Sequence, residues 1–356
     1  MKNNKIIKNI CIVRLSAIGD VCHTLAVVRA IQIQSPLTKI TWIIGKVEST
    51  LIGDIKGIEF IIFDKSKSLS SYNDLYQKLK NRSFEVTLLL HASLRANIIS
   101  WMIKSPNKIG YDLKRARDLQ WLVSSKKIYS SKMHVLNTMF EFIKVIGLKK
   151  QDLIWDIPLS KREITFAENH CEKSKTNIVI SPCSSDRYRN YRNWDLQNFQ
   201  DIINYLVEKY QCHIILTGGK TQNEKIYGTH LSKMNKQSII NLIGKTSLKE
   251  LAAIISLSEL VICPDSGPAH IATAVNTEVI GLYASSNPNR TGPYQSEKYT
   301  INAYPNACIK YLGKKASEVK WGQRIRNPKV MTIITVDMVK ERIDEFFATL
   351  KEDNRK

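Results

Sequence analysis

The stretch Asn9-Ile10-Cys11-Ile12-Val13-Arg14-Leu15-Ser16-Ala17-Ile18-Gly19-Asp20-Val21-Cys22-His23-Thr24 decides the fold, because its pattern changes partway along. Residues 9–15 form a compact, nearly continuous apolar run, as a parallel strand covered on both faces requires. A turn of small residues follows, where Gly19 permits a tight reversal and lets a ligand approach the backbone. Residues 21–34 then read as a helix closed off by Ser35-Pro36. Strand, small turn and helix in that order open a βαβ unit.

Working outward, the theme recurs. Residues 39–45, 59–64 and 85–91 read as further strands, with helices at 72–81 and 94–104. After Trp155-Asp156-Ile157-Pro158, a polar helix at 161–174 links to a second series. There the strands are 177–183, 213–217, 259–263 and 278–283, separated by helices at 196–210, 224–234 and 248–256. A chain of 356 residues is long enough to bury two such cores. The expected fold class is α/β, with two doubly wound Rossmann-like domains facing a central cleft. Residues 1–160 form the first and 175–325 the second, while the amphipathic helix at 336–350, within 326–356, packs back on the first. Ligands of such sheets bind beyond the strand C-termini, so residues there carry the functional weight.

Bulk properties narrow the classes. No apolar stretch approaches the roughly 20 residues of a spanning helix, and the apolar run at 10–13 is too short for a signal peptide, which points to a cytoplasmic address. The seven cysteines include no C-x-x-C pair, and Cys11, Cys183, Cys212 and Cys263 lie in or beside apolar runs, so they read as buried free thiols. The formal net charge of +21 has two accounts. One is a compositional spread of lysine over every solvated face. The other is an anionic partner, such as a phosphorylated glycolipid or the inner membrane surface, where each nearby Lys or Arg adds about 1 kcal/mol. No nucleic-acid motif accompanies the charge, so nucleic acid is not expected as a partner.

Four constellations sit at strand ends. Asp20, at a positive helix end, reads either as an N-cap or as a carboxylate able to take a proton from a hydroxyl. In Cys263-Pro264-Asp265-Ser266-Gly267-Pro268-Ala269-His270 a strand meets a helix start. The free N–H groups of Ser266, Gly267 and Ala269 make an anion site there, with His270 turned toward it. Ser184, Ser185 and Arg192 belong to a basic loop after the strand ending at Cys183. Arginine suits a leaving diphosphate, whereas Arg187 and Arg189 read as solvated. In Thr217-Gly218-Gly219-Lys220-Thr221-Gln222-Asn223-Glu224, Glu224 is either a ribose contact or a plain first-turn acid. There is no D-x-D pair to hold a divalent ion.

Together these stretches resemble the bacterial lipopolysaccharide heptosyltransferase family, glycosyltransferase family 9. The sharpest matches are residues 14–24 (R-L-S-A-I-G-D-V-C-H-T) and 265–274 (D-S-G-P-A-H-I-A-T-A), with weaker echoes at 110–118, 134–135, 192–194 and 279–288. The 265–274 segment, with Ser285-Ser286-Asn287-Pro288 and Thr291-Gly292-Pro293-Tyr294, is most similar to the first-heptose enzymes. Ala26 stands where the family usually has proline, and the loop at 184–192 is longer than in compact members. The resemblance implies a GT-B fold and an inverting transfer of heptose from ADP-heptose to the Kdo of a lipid A core, with no cofactor or metal. It implies Asp20 as general base and Ser184, Ser185, Arg192, Glu224, Asp265, Ser266, Gly267 and His270 as donor contacts. Arg95, Lys114, Arg115 and Arg117 are expected at the acceptor. The same fold with another nucleotide sugar, an epimerase or hydrolase, and a basic RNA- or membrane-binding module are the competing readings.

Overall fold

Strands that pair in parallel bury both faces, and this chain supplies them in two sets. The computed structural model describes residues 7–113, 115–129 and 132–353, and the chain divides between Pro158 and Leu159 into two compact units. In the first unit, β1 (Asn9–Val13), β2 (Lys39–Gly45), β3 (Ile58–Phe63), β4 (Val86–Leu88), β5 (Asn107–Gly110) and β6 (Lys126–Lys127) form one parallel sheet. Its order is β3-β2-β1-β4-β5-β6. The helices are α1 (Ile18–Gln34), α2 (Lys46–Ile52), α3 (Ser70–Leu79), α4 (Leu94–Met102) and α5 (Val135–Lys144). α1 is buried along most of its length because α5 packs against it and Trp155 Nε1 donates to Cys22 O at 2.9 Å.

The second unit repeats the plan. It runs α6 (Lys161–Glu168), β7 (Asn177–Ile180), α7 (Leu196–Tyr210), β8 (His213–Leu216), α8 (Gln222–Leu231), β9 (Ile239–Asn241) and α9 (Leu248–Ser256). It continues with β10 (Leu260–Pro264), α10 (Gly267–Ala274), β11 (Glu278–Tyr283), α11 (Pro288–Thr291), β12 (Ile301–Asn302), α12 (Tyr304–Leu312) and α13 (Val336–Asp353). The sheet order is β12-β11-β10-β7-β8-β9, all parallel. Renumbered within each unit, both sheets read 3-2-1-4-5-6. The strand order therefore reverses between β1 and β4 in one unit and between β7 and β10 in the other. Helices leave such a pair toward opposite faces and open a crevice at the strand C-termini.

Several expectations change. α1 begins at Ile18 and its N-cap is Ala17, so Asp20 is the third helical residue and not a cap. β4 is shorter than its apolar run, because beyond Leu88 side chains take over the backbone carbonyls. Gln120 Nε2 donates to Leu89 O and His91 O, and both Arg14 and Tyr111 Oη donate to Leu90 O. α6 is no linker: a Ser160–Glu163 capping box starts it and it packs on α9 within the second unit. α13, expected on the first unit, buries Val339, Ile343, Phe346 and Phe347 in the second unit's core. The hydroxyls of Tyr205 and Tyr210 also reach Asp344 at 2.7 and 2.6 Å, tying α13 to α7. β11 and β12 contact the helix within this unit.

Gly45 shows how tightly β1 and β2 close above the first crevice. Its N–H donates to Leu15 O at 2.9 Å, and a Cβ there would stand 2.4 Å from that same oxygen. Backbone cannot yield as a flexible side chain does. Gly45→Ala should therefore destabilise the protein by about 1–3 kcal/mol, read as a lower urea midpoint; an unchanged midpoint would contradict this packing.

Candidate active site

At the first switch point the end of β1 meets the end of β4. Arg14 is buried, and its guanidinium pairs with the Asp20 carboxylate and donates to Leu90 O. Its backbone carbonyl accepts from Trp42 Nε1 at 3.1 Å, which fixes the main chain at the strand end. The Asp20 side chain keeps 34% of its surface in water. The carboxylate is thus held from the inner side while an open side remains toward solvent. Thr24 Oγ1 donates to the Asp20 carbonyl at 2.8 Å, securing this first turn of α1.

His91 lies beside this pair and accepts the Leu15 N–H on Nδ1 at 3.3 Å, so its proton sits on Nε2. Burial, with Arg14 adding in the same direction and Asp20 opposing, pulls the ring down to a pKa of about 4. His91 is therefore a neutral N–H donor at pH 7. His23, next along α1, is buried with its ring 5.3 Å from that of His134, the residue that caps α5.

The expected acceptor residues separate. Arg95 is exposed in the first turn of α4, close enough to His91 to act on it electrostatically. Arg117 is exposed in a loop pinned to the start of α4, where Asp118 accepts the Leu94 N–H at 2.8 Å and Asn97 Nδ2 donates to the carbonyls of 117 and 118. Arg115 instead turns inward. Its three nitrogens reach Asp112 at 2.6 Å, Thr138 at 2.9 Å and the Tyr129 carbonyl at 2.8 Å, so it braces the loop against α5. Lys114 lies outside the described residues.

The second switch point carries a denser network. Asp265, just past β10, is buried. Burial pushes its carboxyl up, but Arg192 at 3.1 Å and the Ser286 hydroxyl at 2.7 Å more than offset that and hold it below its ordinary value. Arg192 also donates to Asp265 O at 2.7 Å and to Asn190 Oδ1 at 2.6 Å, and reaches Ser185 Oγ at 3.5 Å. Ser184 closes the loop by donating N–H and hydroxyl to Asn193 Oδ1, both at 2.8 Å. Ser266 is the N-cap of α10 and spends its hydroxyl on Pro264 O, with Pro268 in the first turn. The N–H groups of Gly267 and Ala269 consequently have no intrahelical acceptor, and that of Ala269 is directed at the Cys263 sulfur. His270 is buried and near enough to Asp265 to act on its charge. Ser184, Ser185, Arg192, Asp265, Ser266, Gly267 and His270 thus come together.

Glu224 is buried too, as the third residue of α8. Its oxygens accept from Gly219 N–H at 2.6 Å, Thr221 N–H at 3.0 Å and Thr221 Oγ1 at 2.7 Å, so its carboxylate shapes the loop after β8. Sequence reasoning assigned no role to Arg14 or His91 beside Asp20, to Ser286, which holds Asp265, or to Arg324, whose guanidinium acts on Arg192 and Asp265. For Ser286 the signal was its place at a strand end; nothing in the local sequence marks Arg324. All seven cysteines are free, six of them buried, and burial raises the thiols of Cys22, Cys183, Cys212 and Cys263 to about 12. Thiols held so protonated are poor nucleophiles. Among the described residues no group of three or more His, Cys, Asp or Glu gathers to hold a metal ion.

Comparison with solved structures agrees with this architecture. The family 9 glycosyl transferase from Veillonella parvula DSM 2008 superposes with a TM-score of 0.76 at 20% identity, covering 96% of this chain and 97% of that one. E. coli heptosyltransferase WaaC with ADP gives 0.72 at 18% identity, covering 95% and 99%. The fold is thus that of a GT-B-type glycosyltransferase.

By sequence, residues 72–321 match the model of glycosyltransferase family 9 (heptosyltransferase). The chain is also 37% identical over 333 residues to the lipopolysaccharide core heptosyltransferase OpsX of Haemophilus influenzae, covering 93% of this chain and 95% of that protein. The chain belongs to glycosyltransferase family 9, the heptosyltransferases, and is a transferase.

The His91 ring has a readable consequence. Because its folded-state pKa of about 4 lies below the ordinary 6.5, its stabilising share is fully present above pH 6.5 and is lost as pH falls toward 4. An NMR titration of the ring should show a midpoint near 4, rising when Arg14 is replaced by glutamine; a midpoint near 6.5 in the native protein would contradict the burial described.

Proposed function

We propose that this protein adds heptose to the inner core of lipopolysaccharide, using ADP-heptose as donor and the Kdo of a lipid A–Kdo acceptor, with inversion at the anomeric carbon. The family and the OpsX relative support the heptosyl transfer and the lipopolysaccharide core, and the ADP of the WaaC structure supports the nucleotide. The single observation that carries the mechanism is the Asp20 carboxylate, fixed by Arg14 at a strand end and open to solvent on its other side. A group so placed accepts the proton of an acceptor hydroxyl as that oxygen attacks the sugar.

The second unit supplies the complementary part. The amides of Gly267 and Ala269, the positive end of α10 and the guanidinium of Arg192 receive the diphosphate as its bond to the anomeric carbon breaks. Ser184, Ser185 and His270 line the same turn, and Glu224 holds the loop that meets the ribose. These basic groups balance the leaving charge, and no cofactor or metal enters the proposal. Arg95, Arg117 and Lys114 offer cations to the carboxylate or phosphate of the acceptor, and Arg115 contributes by bracing the segment that carries Arg117. Among the described residues no helix is long and apolar enough to cross a membrane. With a net charge of +21, the enzyme works from the cytoplasm, peripherally at the anionic inner membrane surface where its lipid acceptor lies.

Incubation with ADP-heptose and lipid A–Kdo should add the mass of one heptose to the acceptor. Asp20→Asn should lower turnover by about 10²–10⁴-fold while ADP affinity stays near the native value. Near-native turnover of Asp20→Asn would end the assignment of the base, and transfer from a different nucleotide sugar alone would replace the donor.

A further inference from the structure

Beyond α12 the chain returns to the end of β11. Ile325 N–H donates to Ser285 O at 2.9 Å, and Ser285 Oγ donates to Ile325 O at 2.9 Å. Tyr304 Oη, buried in the core, donates to Gln323 O at 2.9 Å. These bonds fix residues 323–325 against the loop whose next residue, Ser286, holds the Asp265 carboxylate. Arg290 on α11 lies over Gly322, where a Cβ would stand 3.5 Å from its Nε and 3.7 Å from its Cζ.

The result is a crowd of guanidiniums. Arg324 is exposed overall, yet its charged end is disfavoured, first by partial burial and then by Arg192, with Arg290 and Arg187 acting in the same direction and Asp265 opposing. Arg324 and Arg192 both act on Asp265, whose carboxylate is already paired with Arg192. Among the described residues no carboxylate forms an ion pair with Arg187, Arg290 or Arg324. Unpaired like charges held near one another by a braced backbone repel, and a polyanion relieves that repulsion. Arg324 and Arg192 thus stand at Asp265, immediately before the positive end of α10.

We propose that Arg324, with Arg290 beside it, binds the diphosphate of the donor and holds the departing nucleoside diphosphate more strongly than the intact sugar donor. This rests on the nucleotide-sugar reading given above. In the transfer, the bond between the anomeric carbon and the diphosphate oxygen breaks and its electron pair stays on that oxygen. The acceptor oxygen forms the new bond to the anomeric carbon and its proton passes to Asp20. The terminal phosphate therefore gains one negative charge during the step, and a cluster with excess positive charge stabilises the product-like state over the ground state. Arg324 is in this sense a catalytic residue as well as a binding one.

Calorimetric titration of the full chain with ADP, AMP and adenosine tests this, using native protein, Arg324→Gln, Arg290→Gln and the double variant. Arg324→Gln should weaken ADP about tenfold or more while adenosine binds as before, and the double variant should lose more. With ADP-heptose, kcat should fall, and ADP should be weakened more than the donor's KM rises. Arg324→Lys should recover only part of the loss, because a point charge replaces a planar fork. The melting temperature of unliganded Arg324→Gln should be equal to or above the native one, since a repulsive charge is gone. ADP affinity within twofold of native in a folded double variant overturns the role of these arginines and leaves the donor reading standing. Native protein that binds no nucleoside diphosphate overturns that reading, and this inference with it.

Discussion

Each sheet has one place where neighbouring strands send their chains in opposite directions, and the chemistry of this protein depends on it. Between β1 and β4, and again between β7 and β10, adjacent strands end side by side while the connections that follow diverge. Polar groups left at such an end have neither a ladder partner nor a covering helix, so they must be satisfied by side chains or by a ligand. In the first unit, Arg14, Tyr111 and Gln120 answer the carbonyls of Leu89, Leu90 and His91. In the second, Arg192 answers the carbonyl of Asp265, and the positive end of α10 follows directly.

Both sites use one arginine in the same way. Arg14 and Arg192 are buried, each pairs with a carboxylate and each also donates to a backbone carbonyl. A buried ion pair gains little net stability, because desolvation consumes most of the Coulomb energy. What it provides is position: removal of either partner strands a charge, so the pair holds one geometry. The consequence differs between the two. Asp20 keeps a third of its side-chain surface in water and remains available to a hydroxyl, whereas Asp265 is closed in by Arg192 and Ser286 and serves to orient the arginine.

Much of this was legible in the sequence, and the reasons are physical. Buried parallel strands are apolar on both faces, so runs such as 9–15, 39–45 and 259–263 announce themselves without alternation. Short strands do not: β6 is two exposed lysines, and β5 is an ordinary four residues recognisable only by their neighbours. Asp20 and Asp265 were found because small residues, glycine and proline mark a strand-to-helix turn. The start of α1 at Ile18 was not readable, since the turn at 16–19 contains no capping side chain. Arg115 resembled an exposed cation in sequence, but its partners Asp112, Thr138 and Tyr129 come from segments whose folding had not been assigned. Arg324 reaches its site only because the chain after α12 is fastened to Ser285, a contact across forty residues.

The account stands most directly on where a nucleoside diphosphate binds. A crystal structure of the protein soaked with ADP should place the phosphates on the amides of Gly267 and Ala269, with the Arg192 guanidinium in contact and the ribose at the loop held by Glu224. Phosphates seated away from the end of β10, for example at Arg115 and Arg117 of the first unit, would contradict it.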